Sequence, residues 1–233
     1  YPEQIVVVGG HLDSWDLAQG TTDDGVGTAS TLAAAAAILA SGQRPKRTIR
    51  FVLFTGEEQG LLGAFAYVKT HSAEMPNHLA AVVLDSGQGP VQGFQIGGRD
   101  DLLPAFQQLS QALGAFGELK VDDDAVFDTD TGAFILAGLP GVNLAQDSPE
   151  YRFTHHTAAD TFDKVKPDIL TRDSALMAAT AFWMASRPER LATPWPGERT
   201  AKMLKAKGME EELRADGLWP FGEVKPEEPA KKQ

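Results

Sequence analysis

Short apolar runs separated by helical patterns constrain this chain more than any other feature. Residues 5–9, 48–55 and 80–84 are β-branched or apolar and bounded by turn residues, the pattern of buried strands. Residues 28–40 are rich in Ala and Leu and stop near Gly42 and Pro45, a strong helix pattern. Residues 60–70 and 101–113 also read as helices. Residues 131–137 form a shorter one, followed by a strand at 141–144. Pro167 suits the first turn of a long helix that Pro188 follows. Strand and helix in alternation predict an α/β sheet with helices on both faces.

Composition narrows the class. The 233 residues suffice for one domain or two small ones. With 42% hydrophobic and 23% charged residues the chain is neither disordered, collagen-like nor a coiled coil. No apolar run approaches the ~20 residues of a membrane-spanning helix. A net charge of −11 repels phosphates, which argues against nucleic acid or an anionic membrane as main partner. The absence of cysteine excludes disulfides, thiolate metal sites and cysteine nucleophiles. Residues 198–233 hold 8 basic and 8 acidic residues, so the whole −11 sits in residues 1–197. Residues 191–233 read as a C-terminal helix over 199–215 and a charged, flexible tail ending in EVKPEEPAKKQ.

In an α/β sheet, ligands bind at the carboxyl ends of the strands. The first run ends in Gly9-Gly10-His11-Leu12-Asp13, the second in Thr55-Gly56-Glu57-Glu58 and the third in Leu84-Asp85. Asp23-Asp24-Gly25 precedes the Ala-rich helix, and a later loop carries His155-His156. Each group alone has an ordinary explanation as a turn, a helix cap or a surface pair. Together they put Asp, Glu and His, the ligand types of zinc, on one edge of the sheet. Several carboxylates packed together are costly unless cations neutralise them, so the set predicts a metal centre of more than one ion.

The stretches GGHLDSWDLAQGTTDDGVG and RPKRTIRFVLFTGEEQGLLGAFAY, with TDTGAFILAGLPGVNL and HHTAADT further on, resemble the co-catalytic di-zinc exopeptidase family of zinc aminopeptidases and carboxypeptidase Q-like enzymes. The Trp of HLDSWD is most similar to the carboxypeptidase Q branch. The resemblance implies a three-layer α/β/α fold with a mostly parallel (mixed) central sheet, lacking its N-terminal part. It implies a partial metallopeptidase catalytic domain over residues 1–190. It also implies two zinc ions: His11 and Asp85 on one, Glu58 and His156 on the other, and Asp23 bridging both. Glu57 would be the general base. Asp13 would accept a hydrogen bond from the His11 ring, and the Asp23-Asp24 peptide would be cis. The substrate would be a peptide or dipeptide, and the location secreted or periplasmic. Relatives continue well before the HxD motif, so the start at Tyr1 reads as a piece of a longer precursor, with an exposed sheet edge that favours a homodimer.

Two other readings compete. Single-zinc acyl transfer is the first, since glutaminyl cyclases resemble this fold; the second is a non-catalytic binding domain that has lost its ligands. Intact ligand positions and Glu57 favour the di-zinc hydrolase. His155 and Tyr151 are candidates to stabilise the oxyanion. Trp15 either lines the substrate pocket or packs under the metal loop. Asp122 to Asp124 form a solvated loop, since Gly132 breaks the EF-hand spacing after Asp128 and Asp130. Asp130 lies at a helix start near the cleft, and His71 and His78 are surface residues.

Overall fold

The structure, a computed structural model, describes residues 1–222. Strand β1 (Ile5–His11) is buried along its whole length. Val6 and Val8 enter the core on one face of the sheet and Ile5 and Val7 the core on the other. A strand buried on both faces is a continuous apolar run rather than an alternating one. Helices α1 (Val26–Ala40) and α6 (Pro167–Ser186) pack together on the first face. Helices α2 (Leu62–Thr70) and α4 (Thr131–Leu136) cover the second. The result is the expected three-layer α/β/α arrangement.

The sheet has six strands, adding β2 (Thr48–Phe54), β3 (His78–Val83), β4 (Val91–Gln95), β5 (Lys120–Asp122) and β6 (Gly141–Gln146). Their order is β2-β1-β3-β6-β4-β5. Strands β2, β1, β3 and β6 run parallel, β4 is antiparallel to β6, and β5 is parallel to β4. The chain leaves β1 toward β2 on one side and returns through β3 on the other. That reversal opens a crevice at the carboxyl ends of β1 and β3.

Strands β4 and β5 do not stand out in the sequence. Val91–Gln95 contains Gly93 and an exposed Gln92, and Lys120–Asp122 is an edge strand with two exposed residues. They form because the free edge of β6 accepts a partner and because Phe94 is buried. The helix expected from residue 60 begins at Leu62, since Gly60 and Leu61 have positive φ. The helix expected over 199–215 is two helices, α7 (Gly197–Ala206) and α8 (Glu210–Ala215), broken at Gly208 with φ 76°. Leu204 and Leu213 pack against Ile135 of α4, so this segment lies on the body of the fold. The rest of the expected flexible tail, residues 223–233, lies outside the described residues. His78 is not a surface residue: it starts an interior strand, and its ring meets the Tyr67 hydroxyl at 2.9 Å and the Glu74 carbonyl at 3.0 Å.

Candidate metal centre

His11 ends β1, Glu57 and Glu58 follow β2, and Asp85 lies just past β3. Asp23 and Asp24 occupy the turn Thr21–Gly25 before α1, and the peptide between them is cis. The buried Asp24 carboxylate accepts from the main-chain N–H of His11 and of Gly27, both at 3.0 Å. Gly10 and Gly27 make this possible, because a side chain on either would run into the Asp24 carboxylate. Asp24 thereby ties the end of β1 to the start of α1 and leaves Asp23 facing the crevice.

The imidazole of His11 is oriented from behind. Its Nδ1 lies 2.8 Å from the main-chain carbonyl of Asp13. A carbonyl only accepts, so Nδ1 carries a proton and Nε2 is the ring atom left to bind a cation. The expected hydrogen bond from the ring to Asp13 is thus made to its main-chain carbonyl, while its carboxylate lies 3.8 Å from Nδ1. That carboxylate accepts from the main-chain N–H groups of Glu57 (3.2 Å) and Glu58 (3.3 Å). The turn after β1 brings the carbonyl, not the side chain, to the ring.

His11 Nε2 then faces oxygens on every side. Asp23 Oδ1 is at 3.3 Å, Asp85 Oδ1 at 3.6 Å and Glu57 Oε2 at 3.8 Å. The other oxygen of Asp23 faces the other way, 3.5 Å from His156 Nε2, and His156 Nε2 is 2.9 Å from Glu58 Oε2. The structure thus brings His11, Asp23, Glu57, Glu58, Asp85 and His156 together, with Asp23 in the middle. His155 stacks on His156 with ring centres 3.7 Å apart, and its Nε2 is 3.8 Å from Asp23 Oδ2. His156 holds a left-handed φ of 56°, a strained conformation for a residue with a side chain. The Trp15 ring lies 5.3 Å from His156 and lines a small recess with Asp23 and Glu58. Burial and the nearby carboxylates of Asp85 and Asp23 raise the pKa of Tyr151. Both candidates for the oxyanion therefore adjoin the middle carboxylate.

The site is short of positive charge. Burial lifts Glu57 to about 9, with Asp85 adding to it. Burial also raises Glu58, Asp85 and Asp24. Burial opposes charge on His11, yet the neighbouring carboxylates of Asp23 and Asp85 outweigh it and raise its pKa. Among the described residues, His11 Nε2, Asp23 Oδ2 and Glu58 Oε1 are buried atoms without a hydrogen-bond partner. Unpaired nitrogen and oxygen donors pointing at a shared centre fit a divalent cation such as zinc. His11, Asp23 and Asp85 form one group able to hold an ion, and Asp23, His155 and His156 form another.

A profile of peptidase family M28 matches residues 1–181. The chain belongs to peptidase family M28. Carboxypeptidase Q of Rattus norvegicus is 38% identical over 191 residues, covering 82% of this chain and 40% of that protein. The M28 peptidase precursor from Shewanella amazonensis superposes with a TM-score of 0.72 at 36% identity, over 84% of this chain and 44% of the other. Glutaminyl cyclase from Porphyromonas gingivalis shares the fold, with a TM-score of 0.59 at 17% identity, over 76% of this chain and 72% of the other. The chain spans about 40% of the length of the curated relatives it matches.

Sequence reasoning left one residue of the site unassigned. Asp160 is buried and accepts from two successive main-chain N–H groups, Thr22 at 2.7 Å and Asp23 at 3.1 Å. Thr22 Oγ1 also donates to Thr154 Oγ1 at 3.0 Å, and the Gln19 N–H donates to the Asp160 carbonyl at 3.0 Å. These bonds fasten the loop of His156 to the loop of Asp23. The only signal in the sequence was the place of Asp160 four residues after His156.

Proposed function

We propose that this chain carries the catalytic centre of a metal-dependent exopeptidase that cleaves a terminal bond of a peptide or dipeptide, with two zinc ions bridged by Asp23. One observation supports this most: the two oxygens of Asp23 face two different imidazoles, each paired with its own acidic partner. His11 and Asp85 would hold one ion, Glu58 and His156 the other. When bound, the ions supply charge that acidifies a water molecule and polarises the scissile carbonyl. Glu57 takes a proton from the attacking water and passes it to the leaving amine. Its high pKa belongs to a pocket of uncompensated carboxylates, and cations alongside lower it into the range of a base. Asp13 fixes the main chain of both glutamates, so that adjacent residues serve different tasks. Residues 1–190 form the catalytic part in this reading.

Zinc analysis combined with a screen of dipeptides and aminoacyl-anilides tests it. Two zinc ions per chain are expected, with turnover lost to a chelator and restored by zinc. One ion per chain together with cyclisation of N-terminal glutamine would favour the acyl-transfer reading. A protein that neither binds zinc nor turns over either substrate class would be a binding domain. The self-association expected from the sequence is read by light scattering on the same sample.

A further inference from the structure

A groove of about 450 Å³ separates α8 from the loop of residues 125–128. Its floor is apolar, with Val126 and Phe127 on one wall and Met209, Leu213 and Leu218 on the other. Both walls are fixed by main-chain hydrogen bonds. Gly208 and Gly217 close α7 and α8 with left-handed φ of 76° and 70°. The residue after each glycine donates its N–H back to the helix, Met209 to the Leu204 carbonyl at 3.0 Å and Leu218 to the Leu213 carbonyl at 2.8 Å. This glycine-capped ending folds an apolar residue onto the last turn. Met209 and Leu218 are thereby held, half-buried, against the cluster of the buried Leu204 and Leu213. On the opposite side, the N–H groups of Ile96, Gly97 and Gly98 donate to the carbonyls of Asp122 (3.0 Å), Asp124 (3.0 Å) and Asp123 (2.9 Å) and anchor the loop. The Phe127 ring and Leu61 both pack at Gly132, where a Cβ would meet them at 3.0 and 3.1 Å. Leu61 is in turn tied to Glu57, whose carbonyl accepts its N–H at 2.9 Å. The inner wall of the groove thus adjoins the loop of the two glutamates. The outer wall, α8, lies beyond residues 1–181 that the M28 profile matches.

The charge around this floor has one sign. Asp128, Glu212 and Asp216 form the rim, all three exposed, and no basic residue lines the groove. The cations of α7 and α8 are engaged elsewhere: Lys205 and Arg214 with Glu210, and Lys207 with Asp123. Among the described residues the three rim carboxylates have no counter-ion. We infer that this groove docks a basic, apolar-containing stretch of a longer peptide substrate, remote from the bond that is cleaved. Apolar side chains of the peptide cover Val126, Met209 and Leu218, and lysine or arginine side chains between them reach Asp128, Glu212 and Asp216. A groove that is apolar below and acidic above selects against an acidic peptide, which would leave the rim repelled, and against a polar one, which would leave the floor wet. The substrate as source of the peptide rests on the exopeptidase reading; the chemistry of the groove does not.

The test uses zinc-loaded protein and a hexapeptide of alternating lysine and leucine, blocked at both ends so that an exopeptidase leaves it intact. The readout is the methionine methyl signals in two-dimensional NMR spectra. The Met209 signal should shift saturably, while those of the core residues Met177 and Met184 stay in place. Glutamate in place of lysine, or serine in place of leucine, should weaken binding about tenfold or more, and added salt should weaken it as well. Glu212→Gln with Asp216→Asn should cost about tenfold in affinity at unchanged Tm. Equal binding of the glutamate or serine peptide, a shift that does not saturate, or full affinity in the double variant would each overturn the inference. Two longer substrates that share their cleaved end, one continuing in Lys-Leu and one in Glu-Leu repeats, test the source. The basic one should have a KM about tenfold lower at similar kcat, and equal KM values would overturn docking of the substrate. A saturable Met209 shift in a protein that hydrolyses no peptide would sink the proposed function and leave the peptide groove standing. Hydrolysis of dipeptides without any Met209 shift would do the reverse.

Discussion

The two halves of the metal centre are built in opposite ways. The inner half, His11 and Asp85, sits at the ends of interior strands, with side chains 1% and 4% exposed. The outer half depends on the loop of His155 and His156, whose side chains are 47% and 43% exposed. Asp23 joins them. The sheet itself sets the inner distances, because β1 and β3 are hydrogen-bonded neighbours. The outer distances depend on a loop that is far from Asp23 in sequence and held by Asp160. Rigidity is thus inherited on one side and assembled on the other.

The largest effect should fall between the halves. Glu57→Gln is expected to lower kcat on the order of 10²–10⁴-fold while zinc content is unchanged, whereas Glu58→Ala should lose zinc from the outer half. Equal zinc loss from both variants would erase the division between base and ligand.

The halves should differ most plainly in stability. In chelator-treated protein, His11→Ala leaves Asp23 and Asp85 without their buried counter-charge and should cost about 3–5 kcal/mol. His156→Ala removes a half-exposed ring and should cost about 0–1 kcal/mol. Urea unfolding of both variants measures the difference, and similar values would mean that the inner half is no better embedded than the outer.

A smaller effect sharpens the role of the strap. Asp160→Asn puts an amide where two N–H groups need an acceptor. Residues that hold ligands in place typically contribute 10–100-fold in metal affinity. The loss should appear in a zinc competition titration at the ion shared by Asp23 and His156, with the inner ion spared. A drop in Tm without a change in either affinity would show that Asp160 serves only the fold.

A further effect is one of pH. Asp130 is fully buried, and among the described residues neither of its oxygens has a partner. Burial raises its pKa from 3.8 to about 8, with His11 opposing and Asp85 and Asp13 reinforcing. Because the folded value is raised, the unfolded chain binds fewer protons between these two values. Its contribution to stability is full below 3.8 and is lost as pH rises through 8. Thermal melts of metal-free Asp130→Asn from pH 4 to 8 should therefore decline less than those of the parent protein. An unchanged slope would mean that Asp130 is already ionised or paired.

Much of this architecture was legible in the sequence, for a physical reason. A strand buried on both faces must be apolar, so residues 5–9 and 80–84 declared themselves; residues 48–55, expected to be buried too, form the half-buried edge strand β2 and showed through their apolar run alone. The polar residues that end such runs, His11, Glu57, Glu58 and Asp85, then had one edge of the sheet to occupy. Strands without an apolar run stayed hidden. Val91–Gln95 and Lys120–Asp122 exist only because β6 offers an edge and Phe94 finds a core.

What only the tertiary structure decided was the contacts between distant segments and the choice between chemically equivalent groups. Nothing local says that the carbonyl of Asp13 rather than its carboxylate meets His11, because both lie on one residue and the turn selects between them. Nothing local says that Asp160 holds Asp23, because the partners are 137 positions apart and meet only in the folded chain. Hydrophobic pattern is written residue by residue. Hydrogen-bond partnership belongs to pairs, and pairs exist only once the chain has closed on itself.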